Sequence, residues 1–212
     1  MSLIIRKNLS CGELAVWQID ESEPQLAARC SREEQEYARS LTNARRRCEW
    51  LAWHVLLHEL LPNVTTAYDS VGAPILVGEE QQIAVSHTSG YAALLLSDQP
   101  CGIDIELPTR DFSHAASRFL SDNERKLIDA NDSGLQQKTA GTIWCAKECL
   151  YKWAKIPGLN FVNDMTIDQI DFDRGLISGS LLGHPVSPSI LPDDRLNIVF
   201  YAATYPTSGF HI

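Results

Sequence analysis

The chain has 212 residues, the size of one domain or two small ones, which is ample for a hydrophobic core and too short for several independent catalytic modules. With 44% hydrophobic and 21% charged residues and ten scattered prolines, it is not the composition of a disordered chain, a collagen-like repeat or a coiled coil. Against 27 acidic residues stand 18 basic ones, a formal charge of -9 that argues against indiscriminate attraction to nucleic acid or an anionic membrane, so any phosphate chemistry has to come from local basic clusters.

At the N-terminus only a three-residue apolar stretch precedes Arg6 and Lys7, far short of a signal-peptide core, and no segment is apolar for long enough to span a bilayer. The expected location is the cytosol, where the six cysteines are expected as reduced thiols. Cys145 and Cys149 are four apart, but no second pair or nearby His completes a zinc pattern.

Residues 12–20 predict a short strand. The following segment, from Pro24 to Pro62, is helical in character: Ser31 with Glu34 fits a capping box, and Trp50, Leu51, Trp53, Val55, Leu57, Leu60 and Leu61 wrap a helix that Pro62 ends. Those apolar residues read as core. Arg45, Arg46 and Arg47 point in different directions on that helix, and a solvated face explains such a run as well as an anion site does. Residues 68–76 are turn-rich, with Gly72 and Pro74 leading toward a strand.

Three short strands follow, at 82–86, 91–97 and 101–106, separated by Thr88-Ser89-Gly90 and Ser97-Asp98-Gln99-Pro100. After Pro108 the character turns helical. Ser121 and Glu124 form a second capping box, and a longer helix over 139–155 is stopped by Pro157-Gly158. Strand patterning returns at 166–172, 176–182 and 196–205. With no regular βαβ repeat the class is α+β. Each half, 1–100 and 101–212, offers helix and a small antiparallel group of strands, which leaves a structural duplication open.

In Gly102-Ile103-Asp104-Ile105-Glu106 the strand period puts Asp104 and Glu106 on one face and turns Ile103 and Ile105 to a core. Paired carboxylates suit Mg²⁺, which shares its shell with phosphate and water, and equally suit an exposed strand face carrying ordinary acids. Gly102 either starts the strand or allows close approach of a ligand. In Trp144 through Lys152, Glu148 and Lys152 are i,i+4 with Lys147 at their flank, an arrangement that fits a metal carboxylate beside a phosphate-binding ammonium or a plain surface ion pair. Residues 125–155 carry six Lys or Arg against three Asp or Glu, a locally positive stretch in an acidic chain. His87, at a strand end beside Ser86, reads as a buried hydrogen-bonded residue, a base or a phosphate ligand. Neither a Walker loop, a dinucleotide fingerprint, a G-x-S-x-G elbow nor an HExxH is present.

Taken in order, these segments resemble the 4'-phosphopantetheinyl transferase superfamily in its longer single-chain class. Gly72-Ala73-Pro74-Ile75-Leu76 is similar to its G-x-P-x-L segment, Ser86-His87-Thr88 to its S-H-S/T strand end, and Gly102 through Glu106 to its G-[IV]-D-x-E signature. Phe119-Leu120 with Glu124 resembles F-[FL]-x-x-x-E, and Trp144 through Lys152 resembles W-x-x-K-E-x-x-x-K. The resemblance covers about residues 37–153 and departs at Cys48 and His54, where a basic residue is often found.

The resemblance implies a monomer of two similar α+β halves related by a pseudo-twofold axis, with coenzyme A between them. Asp104, Glu106 and Glu148 would hold Mg²⁺ against the coenzyme A pyrophosphate, with His87, Lys147 and Lys152 on phosphate, Arg46 or Arg47 on the 3'-phosphate, and Gly72, Pro74 and Ser86 lining the ligand. The implied reaction moves 4'-phosphopantetheine from coenzyme A to a serine of an acyl carrier protein or a peptidyl or aryl carrier domain, in fatty acid or secondary metabolite synthesis. Asp104, Glu148, Lys152 and His87 would be the catalytic set, with Glu148 accepting the serine proton. The alternatives are another Mg²⁺-dependent phosphodiester enzyme such as a nuclease, disfavoured by net acidity and the lack of aromatic-basic interleaving, or a non-catalytic α+β binding module.

Overall fold

The computed structural model describes residues 2–207, 209 and 210. The chain opens with a hairpin, β1 (Leu3–Leu9) and β2 (Gly12–Gln18), followed by three helices, α1 (Glu23–Ala27), α2 (Arg32–Ser40) and α3 (Ala44–Leu60). A small hairpin, β3 (Thr65–Tyr68) and β4 (Pro74–Val77), leads to β5 (Gln82–Thr88), β6 (Tyr91–Ser97) and β7 (Cys101–Glu106). Then come α4 (Ala116–Phe119), α5 (Asp122–Asp129) and α6 (Ser133–Ala154), and the strands β8 (Met165–Asp171), β9 (Leu176–Leu181), β10 (His184–Val186), β11 (Ser189–Leu191) and β12 (Asn197–Ala202).

One sheet has the order β1-β2-β6-β5; the other runs β10-β9-β11-β12-β7, with β8 paired to β9. Every ladder among the described residues is antiparallel. The fold is therefore α+β, and the chain passes from the first sheet to the second at Pro100.

Alternation along the strands builds the layers. In β2 and β6, Ala15, Trp17, Ala92 and Leu94 pack with Leu51, Leu56 and Leu57 of α3, while Leu14, Val16, Ala93 and Leu95 pack on Ile103, Ile105 and Ile198 of the second sheet. The outer face of that second sheet is covered by α6, whose Ile143, Ala146 and Leu150 join Val199, Met165 and Ile177. The result is helix, sheet, sheet, helix. Gly102 is explained by this packing: a Cβ there would strike the carbonyl of Cys149, so the glycine admits α6, not a ligand.

Several expectations change. The N-terminal LIIRKNL, for which the sequence pattern predicts no element, is β1. The long helical segment is three helices, because Asn43 caps a new one by accepting the Arg46 N–H after an extended Leu41. Both capping boxes, Ser31 with Glu34 and Ser121 with Glu124, are formed. α6 starts six residues before the expected 139, at the Asp132 cap, and ends where Lys155 turns left-handed at φ 54°. The stretch between the strands expected at 176–182 and 196–205, with Pro185, Pro188 and Pro192, holds β10 and β11, and the last strand stops at Ala202.

Candidate functional site

β5 and β7 are facing edges of the two sheets, and side chains bridge them. Ser86 donates its hydroxyl to Asp104 Oδ1 at 2.8 Å and accepts the Ile105 N–H at 3.2 Å. Two residues on, Thr88 donates to Glu106, whose carboxylate also takes the Leu107 N–H at 2.9 Å and pairs with Arg110. The shared face expected for Asp104 and Glu106 exists, but these are not exposed acids. They are 6% and 7% exposed, and buried carboxylates require the donors described.

Close packing of α6 over Gly102 brings Glu148 and Lys152 to the same place. Lys152 does not form the surface pair with Glu148; its ammonium lies 2.6 Å from Asp104 Oδ1 and 3.0 Å from the Ile103 carbonyl. Burial pushes the Lys152 ammonium toward losing its proton, but the attraction and hydrogen bond of Asp104 outweigh it and raise its pKa. The Glu148 carboxyl is pushed up, first by burial and then by repulsion from Asp104, with Lys152 and Arg110 opposing.

His87 completes the group. Its Nδ1 stands 3.2 Å from Glu49 Oε2, and burial pushes its pKa down, with Glu49 opposing and with Lys152 and Arg46 acting alongside burial. Ser86, His87, Asp104, Glu106, Glu148 and Lys152 line a cleft of about 310 Å³. Val85 and Lys152 are shared with a second, mostly apolar cleft of about 540 Å³, whose walls include Gly72, Pro74, Tyr151 and Lys155. Lys155 bonds Asp69 at 3.0 Å, clipping the β3–β4 turn to the end of α6.

Not every expected residue is brought there. Lys147 is fully buried, with its ammonium 2.7 Å from Glu124, 2.7 Å from the Phe119 carbonyl and 2.6 Å from the Phe161 carbonyl, so it anchors α6 and faces no phosphate. Arg47 is bound to Glu23 and to the Leu41 and Thr42 carbonyls, and Arg45 to Glu49. Arg46 is exposed and, among the described residues, its guanidinium has no ion-pair partner. His54 is buried between Trp50 and Trp53, bonded to the Trp50 carbonyl and Thr66, and pushed down to about 4 by burial. That makes it a neutral core residue.

Sequence reasoning missed Arg110, Thr88 as a carboxylate partner, and Glu49. Arg110 pairs with Glu106 and lies 4.7 Å from the Trp144 ring. Its only trace in the sequence is the four-residue interval after Glu106, across a proline turn.

The three carboxylates that line the cleft are hard oxygen donors, the chemistry Mg²⁺ prefers. Yet among the described residues no three His, Cys, Asp or Glu side chains stand together closely enough to hold a metal ion, and Lys152 engages Asp104 while Arg110 engages Glu106.

Residues 100–190 match the family model of the 4'-phosphopantetheinyl transferase superfamily. A domain of that superfamily is present in this chain. The matched stretch runs from β7 into β11 and holds Asp104, Glu106, Arg110, Glu148 and Lys152, and it is consistent with a transferase-type activity; Ser86, His87, Glu49 and the three arginines lie outside it. No curated protein matches the chain. Among the described residues no helix is long and apolar enough to cross a membrane.

Proposed function

We propose that this protein transfers 4'-phosphopantetheine from coenzyme A to a serine of an acyl carrier protein or a peptidyl or aryl carrier domain, releasing 3',5'-adenosine bisphosphate. The observation that carries the reading is the convergence of Asp104, Glu106, Glu148, Lys152 and His87 on one cleft, four of them within a domain of the superfamily. A pyrophosphate needs positive charge around it, and Lys152 and Arg110 line the cleft with the three carboxylates, while His87 adds a ring nitrogen.

Asp104, Glu106 and Glu148 would hold Mg²⁺. When bound, the ion supplies a positive centre that stabilises charge on the transferring phosphoryl group and on the leaving group. Lys152 stays an ammonium and neutralises a phosphate oxygen. Arg46, which alone of the three adjacent arginines has no ion pair among the described residues, reaches the 3'-phosphate. The carrier serine oxygen attacks the β-phosphorus, the bond to the adenosine bisphosphate oxygen breaks, and Glu148 takes the serine proton directly or through a water. Burial and Asp104 raise its pKa, the direction that favours a proton acceptor. The enzyme itself needs no nucleophile.

Incubation with coenzyme A, Mg²⁺ and a panel of apo carrier proteins tests this: the expected result is a gain of about 340 Da on a carrier serine, the mass of the transferred cofactor arm. Cleavage of DNA under the same conditions would support a nuclease, and neither product would support a binding module.

A further inference from the structure

Glu49 has no part in the reaction described above, yet it is buried on α3 to 4% exposure. A carboxylate in such a place is held there only if donors meet its oxygens. Oε1 takes the Arg45 Nε–H at 2.7 Å, and Oε2 faces His87 Nδ1 at 3.2 Å. A carboxylate oxygen beside Nδ1 favours the hydrogen on that nitrogen and leaves Nε2 for the cleft that His87 lines.

We propose that Glu49 is a positioning residue for His87: it fixes the Nδ1–H form of the imidazole and turns Nε2 to meet a phosphate oxygen of the ligand. The coenzyme A reading supplies the identity of that ligand, and the inference rests on it to that extent. The charges that face the ring are Glu49 and Arg46 from α3, Lys152 from α6 and Asp104 from β7. Of these, Glu49 is the one paired to Nδ1. A ring placed between Glu49 and an arriving phosphate is flanked by two anions, which favours donation from both nitrogens, and without Glu49 neither orientation nor tautomer is set.

The test uses the full chain labelled with ¹⁵N, with His87 assigned by comparison with His87→Gln. Long-range ¹H–¹⁵N spectra of the ligand-free protein should show the Nδ1–H form for His87, and Glu49→Gln, which keeps the shape but not the charge, should give a mixture of tautomers. Calorimetric titration with coenzyme A should weaken about ten- to a hundredfold in Glu49→Gln, the range for one lost charge-assisted contact. Glu49→Asp keeps the charge but withdraws it from Nδ1, and should behave as Glu49→Gln does. In a His87→Gln background neither change should weaken binding further. An unaltered His87 spectrum in Glu49→Gln, or an equal loss of affinity with and without His87, overturns the inference. A parent protein that binds no coenzyme A overturns the proposed function instead, and the spectra still decide the Glu49–His87 relation.

Discussion

The Lys152 ammonium lies 2.6 Å from Asp104 Oδ1, so the cation expected to meet phosphate is engaged with the carboxylate expected to meet metal. Ligand-free protein thus holds its own counter-charge in the cleft. In Lys152→Met, Asp104 and the partly buried Glu148 lose that compensation. Mg²⁺ should then bind the ligand-free variant about tenfold more tightly, the size of one charged contact, while transfer activity falls. Calorimetric titration with Mg²⁺ alone checks this, and an unchanged affinity would show that lysine and metal do not compete.

Arg46 and Arg47 are neighbours in sequence with different surroundings. Arg47→Ala removes contacts to Glu23, Leu41 and Thr42, and should lower unfolding stability by about 1 to 2 kcal/mol. Arg46→Ala should leave the melting temperature in place and weaken coenzyme A much more than dephospho-coenzyme A, which lacks the 3'-phosphate. Equal weakening of both ligands would place the 3'-phosphate elsewhere.

Glu148 makes a prediction about pH. Burial, then Asp104, raises its pKa in the folded protein, so the folded state holds that proton more tightly than the unfolded chain does. Such a group contributes stability that is fully present below its unfolded pKa and is lost as pH rises through the raised folded value. Metal-free Glu148→Gln should therefore melt higher than the parent at neutral pH, with the difference disappearing in acid. The same variant should slow single-turnover transfer by about 10² to 10⁴, the range for a lost general base. Full recovery of rate at high Mg²⁺ would limit Glu148 to metal binding.

Lys147 is expected to matter for folding alone. Lys147→Met leaves Glu124 buried without its cation, which should cost about 3 to 5 kcal/mol in chemical denaturation. Coenzyme A affinity of the folded fraction should not change. A stable variant with weakened coenzyme A binding would return Lys147 to the ligand.

Local pattern carried a good part of this protein. The bounds of β6 and β7, both capping boxes and the shared face of Asp104 and Glu106 follow from a period of two or from donors three residues apart, interactions completed within one element. The motifs from Gly102 to Lys152 lie inside the stretch that matches the superfamily, and those at Gly72 and Ser86 lie outside it.

What each cation does was not legible, because that depends on which carboxylate is desolvated beside it. Lys147 and Lys152 lie on one helix, yet one meets Glu124, 23 residues away, and the other Asp104, 48 residues away. The three adjacent arginines likewise divide by tertiary neighbours, Glu49 for Arg45 and Glu23 for Arg47, leaving Arg46 without an ion pair among the described residues. Nothing in the sequence singles out Glu49, and β5 together with α3 makes it a buried partner for His87. Periodicity determines which side of an element a residue occupies; burial and the charges packed opposite are set by elements distant in the chain, and only the assembled sheets and helices decided them.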